Sequence, residues 1–150
     1  MFRPTAHIFD VDGTLADVTP YLHHIITPDK PKNFDAFHAE SVDAMANTEV
    51  VKMLNASAEE NHIIVVTARM EKWRGHTSYW LARYGIQHDA LFMRADKDYR
   101  PDYEIKKEIL AKIMTFWDVT HAVDDNPNVI ALWEANNIPT TKIGTWDGKN

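Results

Sequence analysis

A short run, Ala6 to Phe9, leads directly into Asp10-Val11-Asp12-Gly13-Thr14. Two carboxylates two residues apart at the end of a buried strand, followed by Gly and Thr, make a compact site for metal-assisted phosphoryl transfer. Four fixed identities at this spacing recur by chance on the order of once in 10⁵ positions. The competing reading is a solvated Asp-Gly turn, but a turn needs no buried strand before it. A calcium loop of the EF-hand kind fails, because its sixth and twelfth positions, Gly and Glu in that motif, are Leu15 and Tyr21 here.

The spacing has a chemical reason. A phosphate monoester is anionic, so a carboxylate attacks phosphorus only if a cation neutralises the approach and a proton reaches the leaving oxygen. Asp10 at the strand's end can be the attacking group while Asp12, on the following turn, serves as acid and base. Gly13 lets the backbone turn without a Cβ, and Thr14 offers a hydroxyl to the loop or to phosphate.

The rest of the chain supplies a frame for that site. Short apolar runs at Ala6–Val11, His62–Thr67, Ala90–Met93, His121–Val123 and Thr140–Ile143 alternate with helical segments at Asn47–Glu59, Trp73–Tyr84, Asp102–Thr115 and Pro127–Asn136. The order βαβαβαβαβ predicts an α/β fold with a largely parallel sheet covered by helices. Gly85 reads as a helix stop and Pro127 as a first-turn residue. At 150 residues, 45% of them hydrophobic, one domain spanning 1–150 is expected.

One segment breaks the alternation. Residues 17–40 hold Pro20, Pro28 and Pro31 with Phe34 and Phe37, and read as an insertion over the C-terminal edge of the sheet, a candidate small cap or lid. His23, His24 and His38 also fall here, without carboxylates at a fixed spacing that would argue for a metal triad.

In an open parallel sheet, ligands meet the carboxyl ends of the strands. After Ile63–Val66 come Thr67 and Arg69, a hydroxyl and a guanidinium suited to phosphate oxygens. After His121–Val123 come Asp124 and Asp125, then Asn126-Pro127 and a helix, where Asp125 or Asn126 can serve as N-cap. Adjacent buried carboxylates repel, and a cation relieves them; octahedral Mg²⁺ suits Asp10, the Asp12 carbonyl and Asp124, with Asp125 steering a bound water.

The helix from Asp102 adds a lysine. With Ile105 at 0° and a step of about 100°, Ile109, Ile113 and Leu110 define a stripe centred near about 65°, and Lys106 falls within it at about 100°. Lys107, at about 200°, faces solvent. A lysine on a core-facing stripe needs a partner, and Asp102, four residues earlier, is the expected one.

Taken together, Asp10-Val11-Asp12-Gly13-Thr14, Thr67, Lys106 and Asp124-Asp125 resemble in order and spacing the four motifs of the haloacid dehalogenase superfamily of phosphohydrolases. The resemblance implies a Rossmann-like three-layer sandwich with a mostly parallel central sheet and a small cap insertion. It also implies Mg²⁺ and an aspartyl-phosphate, with Asp10 as nucleophile, Asp12 as general acid/base, Thr67 and Lys106 on phosphate, and Asp124 on metal. The stretches Ile64–Arg69, Met93-Arg94, Arg100-Pro101-Asp102, Ile105–Ile109 and Val123–Asn126 look like the 3′-phosphatase domain of phage-type polynucleotide kinase-phosphatases. That likeness adds Arg69 and Asp102 to the site.

The expected function is therefore an Mg²⁺-dependent phosphatase acting on a 3′-phosphorylated nucleic-acid end, with a separately encoded kinase or ligase as a partner. The alternatives are a nucleotidase for free deoxynucleotides and a non-catalytic module that senses phosphorylated ends; the proton donor Asp12 argues against the last. The net charge of −6 excludes a broadly basic surface. Any nucleic acid would follow a local cluster, for which Arg69, Arg94, Lys97 and Arg100 are the candidates. The absence of cysteine excludes disulfides and thiolate chemistry. With neither a leader pattern nor a long apolar run, a soluble cytoplasmic protein without membrane contact is expected.

Overall fold

The computed structural model describes residues 2–144. Five strands, β1 (Thr5–Phe9), β4 (His62–Met70), β5 (Ala90–Arg94), β6 (Asp118–Asp124) and β7 (Thr140–Lys142), form one sheet in the order β5-β4-β1-β6-β7. Every pairing in it is parallel. Four helices connect them: α3 (Thr48–Ser57), α4 (Arg74–Arg83), α5 (Asp102–Phe116) and α6 (Pro127–Ala135). The α/β class and its Rossmann-like sheet are as the sequence predicts.

The strands are continuous apolar runs because both of their faces are covered. Phe9, Ile63 and Val65 pack with Leu54 of α3 and Trp80 and Leu81 of α4 on one side. Their immediate neighbours Ile8, Ile64 and Val66 turn to the other side, against Ile105, Ile109 and Ile113 of α5 and Val129 and Trp133 of α6. Residues one apart in sequence thus serve opposite cores, as the two-residue period of a strand requires. The three layers follow from that division.

The strand order places β1 between β4 and β6, so the chain leaves β1 on one side and returns on the other. This is the switch point where a crevice opens above the carboxyl ends. Two strand limits differ from expectation. β1 ends at Phe9, two residues early, because Thr14 and Ala16 already send their N–H groups to Val11 O in a turn. β4 runs on through Met70, with its register against β5 shifting between Val66 and Met70. That irregularity carries Thr67 and Arg69 within a bulged strand rather than after it.

The insertion is more ordered than the sequence suggests. Its ends are tied by a two-stranded antiparallel ribbon, β2 (Ala16–Asp17) with β3 (Met45–Ala46). Between them lie a short helix α1 (His23–Ile26) and α2 (Phe34–Glu40), which Asn33 caps by accepting from Ala36 N at 3.0 Å. Phe37 is buried in the core beside α3 and α4, while Phe34 is half exposed. The segment therefore packs by one aromatic and presents the other. Among the described residues, no helix is long and apolar enough to cross a membrane.

Candidate active site

Asp10 leaves the end of β1 and is 5% exposed, with both carboxylate oxygens engaged. Lys106 Nζ donates to Oδ1 at 2.9 Å and Thr14 Oγ1 to Oδ2 at 3.0 Å. The Asp10 N–H donates to Val123 O at 3.1 Å, so the ends of β1 and β6 are locked together. Thr14, expected on the loop or on phosphate, is wholly buried and orients Asp10.

Lys106 emerges from the apolar stripe of α5 with Ile105, Ile109, Leu110 and Ile113, as the helix phase requires, and Lys107 is exposed. Its ammonium reaches Asp10 and, at 2.7 Å, Asp124 Oδ2. Asp102 is not its partner. That carboxylate instead accepts from Arg94 Nη2 at 2.7 Å, because a fully buried ammonium is stabilised most by the equally buried carboxylates ahead of it. Burial works against the Lys106 charge, but Asp10 and Asp124 outweigh it and raise its pKa.

Asp124 closes β6. Its Oδ1 accepts from the N–H groups of Asp125, at 2.8 Å, and Asn126, at 3.1 Å. Asn126 caps α6 by accepting from Asn128 N at 2.9 Å, which settles the choice left between it and Asp125. Asp125 is thereby released to face Asp10. Burial, then the Asp10 and Asp124 charges, push the Asp125 carboxyl well above the carboxylate range. Burial and Asp124 raise Asp10 likewise. Gly13 adopts φ +80°, and a Cβ there would lie 2.0 Å from Asp125 Oδ2. A side chain at that position would fill the space this carboxylate uses.

Oxygens of Asp10, Asp124 and Asp125 lie within 4.8 Å of one another. Three carboxylates face one ammonium in a buried space, more negative charge than the lysine balances when all are ionised, which is why Asp10 and Asp125 are pushed up. A hard divalent cation with oxygen ligands fits that donor set. The Asp12 side chain stands outside the trio, so only its backbone carbonyl remains for a cation.

Arg69 explains where Asp12 is. The Arg69 side chain is buried, and its Nε and Nη2 donate to Asp12 Oδ2 and Oδ1 at 3.0 and 2.6 Å. Nη1 donates to Thr77 Oγ1 at 3.0 Å, and Ser41 Oγ accepts from Nη2 at 3.4 Å. Burial acts to raise the Asp12 carboxyl, but the Arg69 guanidinium holds it below the usual value. Thr67 is buried and accepts from Arg69 N at 3.2 Å. Ser41 and Thr77 escape sequence reading, since a small hydroxyl in an insertion or on a helix carries no local signal. His38 of α2 also stands near: burial pushes its imidazole down to about 4, and Asp12 and Arg69 both act on it.

Three of the four cations expected to follow a nucleic acid are ion-paired within the chain. Arg94 is 7% exposed and donates to the carbonyls of Ala68, Asp98 and Arg100 as well as to Asp102, stapling the loop before α5 to the bulged end of β4. Arg100 is gripped by Asp98 at 2.7 Å and Glu108 at 2.8 Å. Arg69 is committed to Asp12, while Arg100, though ion-paired, and Lys97 are exposed. The carboxylates that claim Arg94 and Arg100 lie two and eight positions away and the one that claims Arg69 lies 57 away, pairings that residue counting does not reveal.

Comparison with known proteins agrees with this geometry. Residues 4–147 match the family described as the polynucleotide kinase PNKP phosphatase domain. A relative from Autographa californica nuclear polyhedrosis virus, named "Putative bifunctional polynucleotide kinase/RNA ligase", is 28% identical over 139 residues, covering 91% of this chain and 19% of that protein. A chain in the structure of a Pnkp1/Rnl/Hen1 complex superposes with TM-score 0.79 at 28% identity, over 97% of this chain and 47% of that one. A haloacid dehalogenase-like hydrolase from Streptococcus pneumoniae shares the fold, with TM-score 0.68 at 13% identity over 98% of this chain and 88% of that one. The chain thus spans less than half the length of the first two relatives.

Proposed function

The chain belongs to the polynucleotide kinase PNKP phosphatase domain family, and for it we propose an Mg²⁺-dependent phosphomonoesterase that removes the 3′-phosphate from a nucleic-acid end. The observation that carries this reading is Asp10 fixed between Lys106 and Thr14, with Asp124 and Asp125 facing it.

An Asp10 oxygen attacks phosphorus while the bond from phosphorus to the leaving 3′-oxygen breaks. Asp12 gives that oxygen its proton. In the second half, Asp12 takes a proton from water, the water oxygen attacks the aspartyl-phosphate, and the bond to Asp10 breaks, returning a free carboxylate and inorganic phosphate. Lys106 holds Asp10 in line and offsets charge on the phosphoryl oxygens, and Thr67 has a hydroxyl hydrogen to offer them. Mg²⁺ held by Asp10, Asp124 and the Asp12 carbonyl, with Asp125 behind a bound water, would neutralise the phosphate charge during approach.

The names of the two relatives, a polynucleotide kinase/RNA ligase and a chain of a Pnkp1/Rnl/Hen1 complex, support a nucleic-acid substrate and a kinase or ligase partner. The internal pairing of Arg69, Arg94 and Arg100 favours a second reading, a nucleotidase for free deoxynucleotides, since these guanidinium groups are already matched by carboxylates. Phosphate release from a 3′-phosphorylated oligonucleotide with Mg²⁺ tests the proposal. It is expected for the unaltered chain and abolished by Asp10→Asn, which removes the attacking carboxylate. Release by Asp10→Asn within tenfold of the unaltered chain overturns the assignment of the nucleophile.

A further inference from the structure

We propose that the cleft between α2 and the turn that follows β4 receives an unpaired base adjoining the scissile 3′-phosphate, stacked on Trp73. The inference rests on the phosphatase reading above and names how that site would hold a strand end.

The cleft is about 540 Å³, with Asn33, Ala36 and Ala39 on the α2 side and Lys72 and Trp73 opposite. That volume lies in the range that holds a small organic ligand. Trp73 is its aromatic wall, and that ring heads a chain of ring contacts. Phe34 stacks on His38 at 6.2 Å and 26°, His38 lies 5.7 Å from Trp73, and Trp73 lies 5.4 Å from His76. Every nucleobase has a π-face, so a wall of this kind binds bases without regard to sequence.

Through Trp73 the ring contacts lead on towards the catalytic carboxylate. His38 and His76 are both under the influence of the Asp12–Arg69 pair, and the Asp12 side chain is 24% exposed. Each of these imidazoles also has an enclosed ring nitrogen, Nδ1, with no hydrogen-bond partner among the described residues. Buried polar atoms are rarely left in this state. Both rings touch Trp73, so two unused polar atoms near the stacking ring suit the polar edge of a base or a sugar hydroxyl arriving with the substrate.

Charge points the same way. Lys72 lies over the Trp73 ring at 5.8 Å and pairs with Asp35 across the cleft at 2.9 Å. A phosphate of the strand can replace Asp35 on that ammonium, giving one backbone contact beside the stacked base. The arginines near the site being committed elsewhere, stacking rather than a cationic stripe must supply the preference for a strand.

The test removes the base and the ring separately. Phosphate release is measured from an aryl phosphate, from a 3′-phosphorylated oligonucleotide, and from the same oligonucleotide lacking bases at its last two nucleotides. For the unaltered chain, kcat/KM on the abasic strand is expected to fall roughly tenfold or more, mainly through KM. Trp73→Leu is expected to lose the same factor on the complete strand and little further on the abasic one, while Trp73→Phe recovers most of it. Equal kcat/KM on complete and abasic strands overturns the inference without involving any variant. So does a Trp73→Leu loss of the same size on both strands, since the ring would then not act through the base. Failure of the unaltered chain to release phosphate from the aryl ester with Mg²⁺ overturns the phosphatase reading itself, and this inference with it.

Discussion

The Arg69 guanidinium meets the Asp12 carboxylate edge to edge, Nε on Oδ2 at 3.0 Å and Nη2 on Oδ1 at 2.6 Å. A planar fork of this kind fixes position as well as charge. Arg69 thus holds the carboxylate that the proposed mechanism uses as acid and base. Removing Arg69 leaves a carboxyl whose burial raises its pKa against only the smaller opposing influence of His38 and Lys106.

Arg69→Met is therefore expected to move the pH–rate profile to higher pH. As base, Asp12 must be ionised, so the acidic limb follows its pKa upward; as acid it must be protonated, so the limb reporting that role rises too. Phosphate release measured across pH would show a shift of about one unit or more, beside any loss in rate. A lowered rate with an unmoved profile would mean that Arg69 binds substrate without tuning Asp12.

Adjacent lysines should behave oppositely. Lys106→Ala removes the ammonium shared by Asp10 and Asp124 and is expected to cost about 10²-fold or more in rate. Without metal it should also cost about 3–5 kcal/mol of stability, since it leaves buried carboxylates uncompensated. Lys107→Ala, on the exposed face, should change the rate little and stability by about 0.5 kcal/mol or less. Turnover and denaturant unfolding of both variants check this, and equal effects would contradict the site geometry.

The proposed metal site has a signature in stability. The Asp125 pKa is raised in the fold, so its contribution is fully present below the ordinary carboxylate value and is lost as pH rises towards the folded one. Asp125→Asn removes that loss. In metal-free protein at about pH 8 it should raise Tm by about 3 °C or more, with the advantage shrinking towards pH 4, while reducing the rise that Mg²⁺ produces. Thermal unfolding with and without Mg²⁺ measures both. A variant no more stable than the unaltered chain at pH 8 would show that this carboxylate is not under strain.

The architecture was legible because each strand is buried on both faces and each helix is periodic; the phase of α5 alone separated Lys106 from Lys107. The motif order likewise led to Asp10, Asp12, Asp124 and Asp125. What stayed hidden is partner choice among charged groups. Asp102 sits one helical turn from Lys106, yet it pairs with Arg94, and the difference is decided by depth rather than spacing. The insertion was illegible for another reason. Its helices are short, α1 being four residues long, and a ribbon between residues 16–17 and 45–46 joins positions too far apart for local pattern to register.

The most direct measurement compares phosphate release, with Mg²⁺, from a 3′-phosphorylated oligonucleotide, the same strand phosphorylated at its 5′ end, and free 3′- and 5′-deoxynucleotides. A 3′-end phosphatase is predicted to give the highest kcat/KM on the 3′-phosphorylated strand, about tenfold or more above the free 3′-nucleotide, with the 5′-phosphorylated strand far behind. Free deoxynucleotides turned over as efficiently as the strand end would contradict the end-processing role and leave a nucleotidase built on the same Asp10 site.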